Sequence, residues 1–198
     1  MTSSILYFCG PHGAGKSTAI NQLVSRSRYS RGFAFSFQIP ETSAYQRASV
    51  RAIKYLVEQI ENKKAPRPTT VLADRCIYDT LCYINAYQEL GWITEDETRR
   101  LNEHIDRLFL PHGFPDVLVC MLPDLHVLRE RLHCRALDGE LRWQHDNVAL
   151  LQAVHAQYEK LCEELLASDK RILKLMNEPA DQQYEYIIDF IQHLQGHH

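Results

Sequence analysis

A short glycine-rich stretch near the N-terminus limits the folds open to this chain more than any other feature. Residues 10–18 have the sequence GPHGAGKST, and the apolar residues 5–9 come directly before them. Glycine, four residues, then glycine, lysine and serine is the spacing of a loop that joins a strand to a helix around a phosphate group. We therefore predict a strand, a tight loop and a helix, in that order.

Each part of this loop has a task in the predicted phosphate site. Glycines let backbone N–H groups turn toward an anion and leave no Cβ in its path, and the start of the helix adds its positive dipole end. We expect Lys16 to reach the β- and γ-phosphates of a nucleoside triphosphate and the Ser17 hydroxyl to hold Mg²⁺. A glycine-rich turn without a ligand is the alternative, but it would not require all four fixed positions. The residues predicted to contact the nucleotide are Gly10, His12, Gly13, Ala14, Gly15, Lys16, Ser17 and Thr18.

Size and composition indicate one globular domain. The chain has 198 residues, of which 45% are hydrophobic and 24% charged, and no apolar run is long enough to span a membrane. The net charge of -3, without a long basic block, argues against general nucleic-acid binding. We expect a single domain over residues 1–196, and we set His197 and His198 aside as tag residues.

Two signals that are absent from the sequence bear on the compartment of the protein and on the redox state of its cysteines. The N-terminus has no basic flank and no small-residue cleavage site, so we expect a cytoplasmic protein. The six cysteines form no Cys-x-x-Cys pair, and several lie in apolar runs, which indicates reduced residues of the core. The sequence does not fix the oligomeric state, and a homodimer is compatible with it.

Hydrophobic periodicity predicts strands that alternate with helices along the chain. Residues 117–122 are apolar without alternation, which is typical of a strand covered on both faces. We therefore predict an α/β fold in which helices lie on both faces of a mainly parallel sheet. Capping boxes at Ser43 with Gln46 and at Thr94 with Glu97 mark two helix starts. The expected strands are 5–9, 33–37, 71–73, 117–122 and 172–175, and the expected helices include 16–28, 44–62, 76–90 and 94–110.

Charged side chains follow two of these strands, at the edge of the sheet where ligands collect in parallel α/β folds. Asp74 is predicted to orient Mg²⁺ or an acceptor hydroxyl, with a helix N-cap as the alternative. Arg75 would supply a cation where phosphate charge gathers, unless it is a solvated arginine. Glu41 is a candidate to accept a proton from the acceptor or to hold its sugar, and a simple charge at a helix start is the alternative.

Two pairs of arginines are spaced one helical turn apart. Arg131 and Arg135 precede an Asp-Gly turn, with Arg142 just past it, and we predict a lid over about 134–145 that folds across the triphosphate. Arg47 and Arg51 are candidates to bind a phosphate of the acceptor. A solvated helix face is the alternative for each pair.

Three tyrosines, Tyr78, Tyr83 and Tyr87, recur along the helix that follows Arg75. Both stacking on a base and packing in the core are compatible with this spacing, and aromatic residues at helical intervals more often belong to a core. Tyr78 is the one that we include among the substrate-binding candidates.

Taken in order, these motifs resemble the thymidylate kinase and deoxynucleoside kinase superfamily. The resemblance lies in the loop at 10–18, in Asp74-Arg75 followed by Tyr78, Asp79, Leu81 and Tyr83, and in residues 115–119 leading to Arg131 and Arg135. It implies a three-layer α/β/α P-loop fold with a five-stranded parallel sheet and an adenylate-kinase-like core. It also implies Mg·ATP as phosphate donor, an acceptor held by Glu41, Arg75 and the helix after Ser43, lid roles for Arg131 and Arg135, and a loop near the adenine at 177–179.

The resemblance leaves the acceptor open. Deoxynucleoside kinases usually carry glutamate and serine where this chain has Asp74 and Cys76, and thymidylate kinases usually have a glycine-rich segment where this chain has residues 41–44 without glycine. A nucleoside monophosphate is the leading small-molecule acceptor, and a nucleoside 5′-hydroxyl or another small alcohol is the alternative. A nucleotide-dependent switch is disfavoured because no Asn-Lys-x-Asp segment is present. A non-catalytic binding module is also disfavoured, because the chain retains Lys16, Ser17 and Asp74, which the chemistry requires.

Overall fold

The structure is a computed structural model, and it describes residues 4–26, 29–35, 43–65, 70–139, 143–144 and 147–196. One or two helices separate each described strand from the next, as the sequence periodicity predicts. The strands are β1 Ser4–Cys9, β2 Ser30–Arg31, β3 Thr70–Asp74, β4 Val117–Met121 and β5 Arg171–Leu175. The helices are α1 Lys16–Arg26, α2 Ala44–Lys63, α3 Ile77–Glu89, α4 Glu95–Phe109, α5 Leu125–Leu137, α6 Val148–Leu166 and α7 Ala180–Gly196.

The described strands form one sheet in the order β2-β3-β1-β4-β5, and every pairing in it is parallel. The central strand β1 pairs with β3 on one side and with β4 on the other, so that Phe8 lies opposite both Asp74 and Val119. The predicted α/β fold with a five-stranded parallel sheet is confirmed. This order places the ends of β3 and β4 beside the loop that follows β1.

Helices cover the sheet on both faces. Tyr7 and Cys9 of β1 face a core formed with α2, α3, α4 and α6, whereas Leu6 and Phe8 face a second core formed with α1, α5 and α7. Alternate residues of one strand therefore enter different cores, as the side-chain period of a strand requires. In the described residues no helix has both the length and the apolar character needed to cross a bilayer.

The second strand differs from its prediction. A strand was expected at 33–37, but β2 is only Ser30–Arg31. The Gly32 N–H still donates to the Leu72 carbonyl of β3. Beyond it, the Phe33 N–H donates to the Asn62 side chain at 2.6 Å and the Phe35 N–H to the Glu58 side chain at 2.7 Å. Polar side chains of α2 thus replace the sheet as partners of the Phe33 and Phe35 N–H groups, while 36–37 lie outside the described residues.

Helix starts agree with the capping signals. Ser43 caps α2 with Gln46, and Thr94 caps α4 with Glu97, each pair exchanging side-chain and backbone hydrogen bonds. Such an exchange satisfies N–H groups that have no partner within the helix. The two predicted capping boxes are therefore confirmed.

The cysteines differ in part from their prediction. The structure joins Cys120 of β4 to Cys162 of α6 as a disulfide, whereas the sequence predicts that all six are reduced. Both residues belong to the core on the same face of the sheet, where α6 packs onto β4. Cys9, Cys76 and Cys82 are buried free thiols, as predicted, and Cys134 is an exposed one.

Candidate functional site

The loop after β1 closes on itself around Lys16. The Lys16 Nζ donates to the carbonyls of Gly10 and Pro11, at 2.7 and 2.8 Å, and the side chain is almost wholly buried. Burial, and next the nearby Arg75 cation, lower the pKa of Lys16 to about 7. An ammonium group is thus held inside the loop by neutral carbonyls, where an anion would be a stronger partner.

Gly10 permits the closest approach in this loop. Its φ is +144°, and a Cβ at this position would lie 2.2 Å from the carbonyl oxygen of Met121 at the end of β4. The backbone of the loop therefore runs against the neighbouring strand with no room for a side chain.

We expect the substitution Gly10→Ala to destabilise the protein strongly. Gly91→Ala is the matched control, because Gly91 also has a positive φ, +69°, but meets nothing within 4 Å. Overpacking costs about 1–3 kcal/mol, so Gly10→Ala should lower the free energy of unfolding by that much beyond the control. Urea denaturation of the two variants measures the difference, and equal losses would contradict the close contact with Met121.

Asp74 and Ser17 come together at the carboxyl end of β3. The Ser17 hydroxyl, in the first turn of α1, donates to Asp74 Oδ2 at 2.5 Å, and Arg31 Nη2 lies 3.7 Å from the same oxygen. Asp74 belongs to the strand and the N-cap of α3 is Cys76, so the N-cap interpretation of Asp74 is wrong.

These two oxygens suit Mg²⁺. Magnesium is usually held by one or two protein oxygens, with phosphate oxygens and water completing its shell. In the described part of the chain, no group of three or more His, Cys, Asp or Glu side chains could hold a metal ion. The Ser17 hydroxyl and the Asp74 carboxylate, in contact with each other, are the residues that could hold the predicted ion, with the remaining ligands left to nucleotide and solvent.

Arg75 turns away from Asp74 and toward the loop. Its φ is +84°, its backbone N–H donates to the Phe8 carbonyl, and its guanidinium contacts the Gly10 carbonyl at 3.3 Å and His12 Nδ1 at 3.2 Å. The positive φ shows that the extended strand ends at Arg75, and the chain turns there before α3 begins. Asp74 thus contacts Ser17, while Arg75 contacts the other end of the loop.

Asp79 is absent from the residues that the sequence predicts for the site, yet it lies beneath the loop. It is 1% exposed and forms an ion pair with Arg75, with 3.0 Å between Oδ1 and Nη1. The available signals are its place in the motif that follows Asp74-Arg75 and its position in the first turn of α3, between Tyr78 and Thr80.

A cleft of about 530 Å³ opens on one side of the loop. Arg131 and Arg135 of α5 both line it, and Arg131 Nη1 donates to the Gly13 carbonyl at 3.1 Å. The two arginines predicted for the triphosphate therefore lie beside the loop. The other lining residues are Gly13, Ala14, Gly15, Thr18, Ala19, Gln22, Glu130, Cys134, Ala180, Gln183, Tyr184 and Ile187.

Arg47 and Arg51 point into the protein on the other side of the loop. The Arg47 guanidinium stacks over Trp143, 4.3 Å from the ring centre, and that of Arg51 stacks over Tyr83 at 4.9 Å. Arg47 is buried, so the solvated-face alternative is wrong for it, and Arg51 is half-buried.

His12 connects this arginine pair to Arg75. The His12 ring meets the edge of Tyr83, with 5.5 Å between ring centres, and its Nδ1 contacts Arg75. The three predicted acceptor arginines therefore surround one patch of the loop and α3.

The remaining predicted residues are less closely grouped. Tyr78 is buried against Phe114, 6.0 Å between ring centres, while Tyr83 and Tyr87 pack in the core. Glu41 and Arg142 lie outside the described residues, and the predicted lid is described only at 134–139 and 143–144. The loop at 177–179 precedes α7 and adjoins the cleft through Ala180.

Comparison with known proteins gives agreement at the level of structure. No protein-family model and no curated protein matches the sequence. The structure of deoxyadenosine kinase from M. mycoides with bound dATP superposes with a TM-score of 0.69 at 14% identity, covering 95% of this chain and 99% of that one. This chain has the fold of a P-loop kinase.

Two further structures agree with the P-loop kinase fold. The same deoxyadenosine kinase with dCMP and dCDP gives a TM-score of 0.68 at 16% identity over 95% of this chain and 98% of that one. Thymidylate kinase from Candida albicans gives 0.61 at 15% identity over 100% of this chain and 94% of that one. Both kinds of neighbour thus share the P-loop kinase fold with nearly the whole length of this chain.

Proposed function

We propose that this protein is an ATP-dependent phosphotransferase that moves the γ-phosphoryl group onto a nucleoside monophosphate, in the manner of thymidylate kinase. One observation carries the proposal: Lys16, Ser17, Asp74 and Arg75 meet around a single loop at the carboxyl ends of β1 and β3. These are the groups that a phosphoryl transfer needs, since it requires little covalent chemistry from the protein.

The donor nucleotide is assigned to the cleft lined by Arg131 and Arg135. Lys16 would exchange the carbonyls of Gly10 and Pro11 for phosphate oxygens, which are stronger acceptors because they are charged. Arg131 and Arg135 would neutralise charge that develops on the transferred group. Mg²⁺, held by Ser17 and Asp74, supplies further neutralisation of the phosphate charge when it is bound.

The acceptor is assigned to the opposite side of the loop. Arg47, Arg51 and Arg75 give this side three cations, and the described part of the chain contains a carboxylate ion pair with Arg75 but none with Arg51. An acceptor that carries its own phosphate would complement this charge, whereas a nucleoside would not. The arginines therefore support a monophosphate over a nucleoside, and Glu41 stays a candidate for contact with the sugar.

A panel of acceptors tests the proposal. Nucleoside monophosphates and nucleosides are incubated with Mg·ATP, and ADP and the phosphorylated product are measured by chromatography. Phosphorylation of one or more monophosphates is the expected result. Phosphorylation of nucleosides or another alcohol alone would replace the proposed acceptor, and no acceptor-dependent ATP consumption, or strict preference for GTP as donor, would refute the proposed activity.

Lys16 makes nucleotide binding depend on pH. Its pKa of about 7 in the free protein should rise beside a triphosphate, so above pH 7 binding must take up a proton. We expect uptake of up to about one proton at pH 8 and little at pH 6, and an affinity that falls up to about tenfold per pH unit above 7. Calorimetry of ATP binding in buffers of different ionisation enthalpy measures the proton count.

The variant Lys16→Arg is the control for this effect. Arginine stays charged throughout this pH range, so the part of the proton uptake that belongs to Lys16 should disappear. Equal uptake by the wild type and the variant would assign the proton to another group and contradict the prediction.

A further inference from the structure

Asp79 is the most deeply buried carboxylate in the described residues. Oδ1 accepts hydrogen bonds from Arg75 Nη1 at 3.0 Å, from the Gly10 N–H at 3.3 Å and from the Tyr158 hydroxyl at 2.6 Å. Oδ2 accepts one from the Cys76 N–H at 2.9 Å. One side chain of α3 thus joins the start of the loop, the arginine that follows β3, and α6.

The ion pair with Asp79 determines the environment of the Arg75 guanidinium. Burial alone would lower the pKa of Arg75, but Asp79 and the surrounding tyrosines hold it above its ordinary value. The other contacts of the guanidinium are the neutral Gly10 carbonyl and His12 Nδ1. Asp79 is therefore the anion that holds the Arg75 guanidinium toward the loop, because neutral acceptors form weaker bonds to a cation.

We propose that Asp79 is a positioning residue for phosphoryl transfer, which holds the Arg75 guanidinium and the Gly10 N–H in one fixed arrangement beside the acceptor. This inference rests on the proposed function, because it assigns Arg75 to the phosphate of that reaction. Asp79 itself stays below the loop and acts only through these partners.

Tyr158 extends this arrangement to α6. Its side chain is fully buried, and its hydroxyl makes the shortest of the four bonds to Asp79. The segment preceding α6 carries Trp143, which stacks on Arg47. Asp79 therefore connects the segment that carries Arg75 with α6.

The first test observes Arg75 directly and needs no substrate. Nitrogen-15 NMR of the wild type should show separate, slowly exchanging Nη signals for Arg75, assigned by their loss in Arg75→Lys. In Asp79→Asn these signals should merge or broaden, while in Asp96→Asn, which alters an exposed pair with Arg99, they should stay unchanged. Arg75 signals in Asp79→Asn that match the wild type would overturn the proposal.

The second test is a double-mutant cycle on kcat with the best acceptor. Asp79→Asn should lower kcat about 10²-fold, the size of effect that a misplaced group produces. In an Arg75→Ala background the same change should cost less than about threefold, because its target is gone. Additive losses would indicate a merely structural role for Asp79 and overturn the proposal.

The two tests separate this inference from the proposed function. Failure of every acceptor refutes the proposed reaction and with it the catalytic part of the inference, whereas the NMR signals still decide whether Asp79 holds Arg75. Should Asp79→Asn not fold, Asp79→Glu carries both tests, because it keeps the charge but displaces the carboxylate by one methylene. Unchanged signals and unchanged kcat in Asp79→Glu would overturn the proposal equally.

Discussion

Replacement of Lys16 by alanine is expected to lower acceptor-dependent ATP consumption by about 10²–10³-fold. The ammonium group lies within the loop on the carbonyls of Gly10 and Pro11, the position that we assign to contact with the phosphates. Its removal takes a positive charge away from the phosphates during transfer, and preorganised charge of this kind is usually the largest contribution to catalysis. Steady-state kinetics with Mg·ATP and the best acceptor measure the effect.

The matched control is Lys160→Ala, which removes an exposed lysine of α6. We expect its kcat to equal that of the wild type. Thermal unfolding of Lys16→Ala should remain within a few degrees of the wild type, because the loss of two hydrogen bonds is offset by the loss of a buried charge. Turnover of Lys16→Ala within tenfold of the wild type would contradict the role of this residue.

Arg131→Ala is expected to lower kcat about 10²–10³-fold, with a smaller change in the affinity for ATP. Arg131 already contacts the Gly13 carbonyl and lines the cleft, so its guanidinium is close to the position assigned to the triphosphate. A cation that acts on charge developing in the transition state affects kcat more than ground-state binding. Comparison of kcat with the dissociation constant of ATP, measured by calorimetry, separates the two effects.

Arg129→Ala serves as the control on the same helix. Arg129 is exposed and does not line the cleft, so its loss changes the net charge equally without touching the site. Equal losses in the two variants would indicate a general effect of charge and contradict a specific role for Arg131. Arg135→Ala should behave like Arg131→Ala, since both arginines face the cleft.

The parts of the fold that the sequence predicts well depend on local rules. The glycine spacing of the loop, the unbroken apolar run of β4 and the capping boxes of α2 and α4 each follow from contacts within a few residues. Parallel pairing then places Asp74 beside the loop, because neighbouring strands of one sheet end at the same edge. The site around Lys16, Ser17 and Asp74 could therefore be predicted from sequence.

The remaining features depend on contacts between distant segments. The N–H groups of Phe33 and Phe35 donate to Asn62 and Glu58 instead of to a neighbouring strand. Hydrophobic periodicity cannot predict that a distant side chain takes the place of a strand partner. The burial of Arg47 depends on Trp143, almost a hundred positions later in the chain. Asp79 likewise has Tyr158 as a partner, so its role becomes visible only when α3 and α6 are packed together.

The arrangement of the aromatic residues beside Arg47 also gives the protein an optical reporter. The two tryptophans of the chain, Trp92 and Trp143, lie 5.8 Å apart and nearly perpendicular, and a cation stacks on the second. A ligand that draws Arg47 away would change the intensity and colour of this fluorescence, and occupancy of the acceptor side could be followed without any added dye.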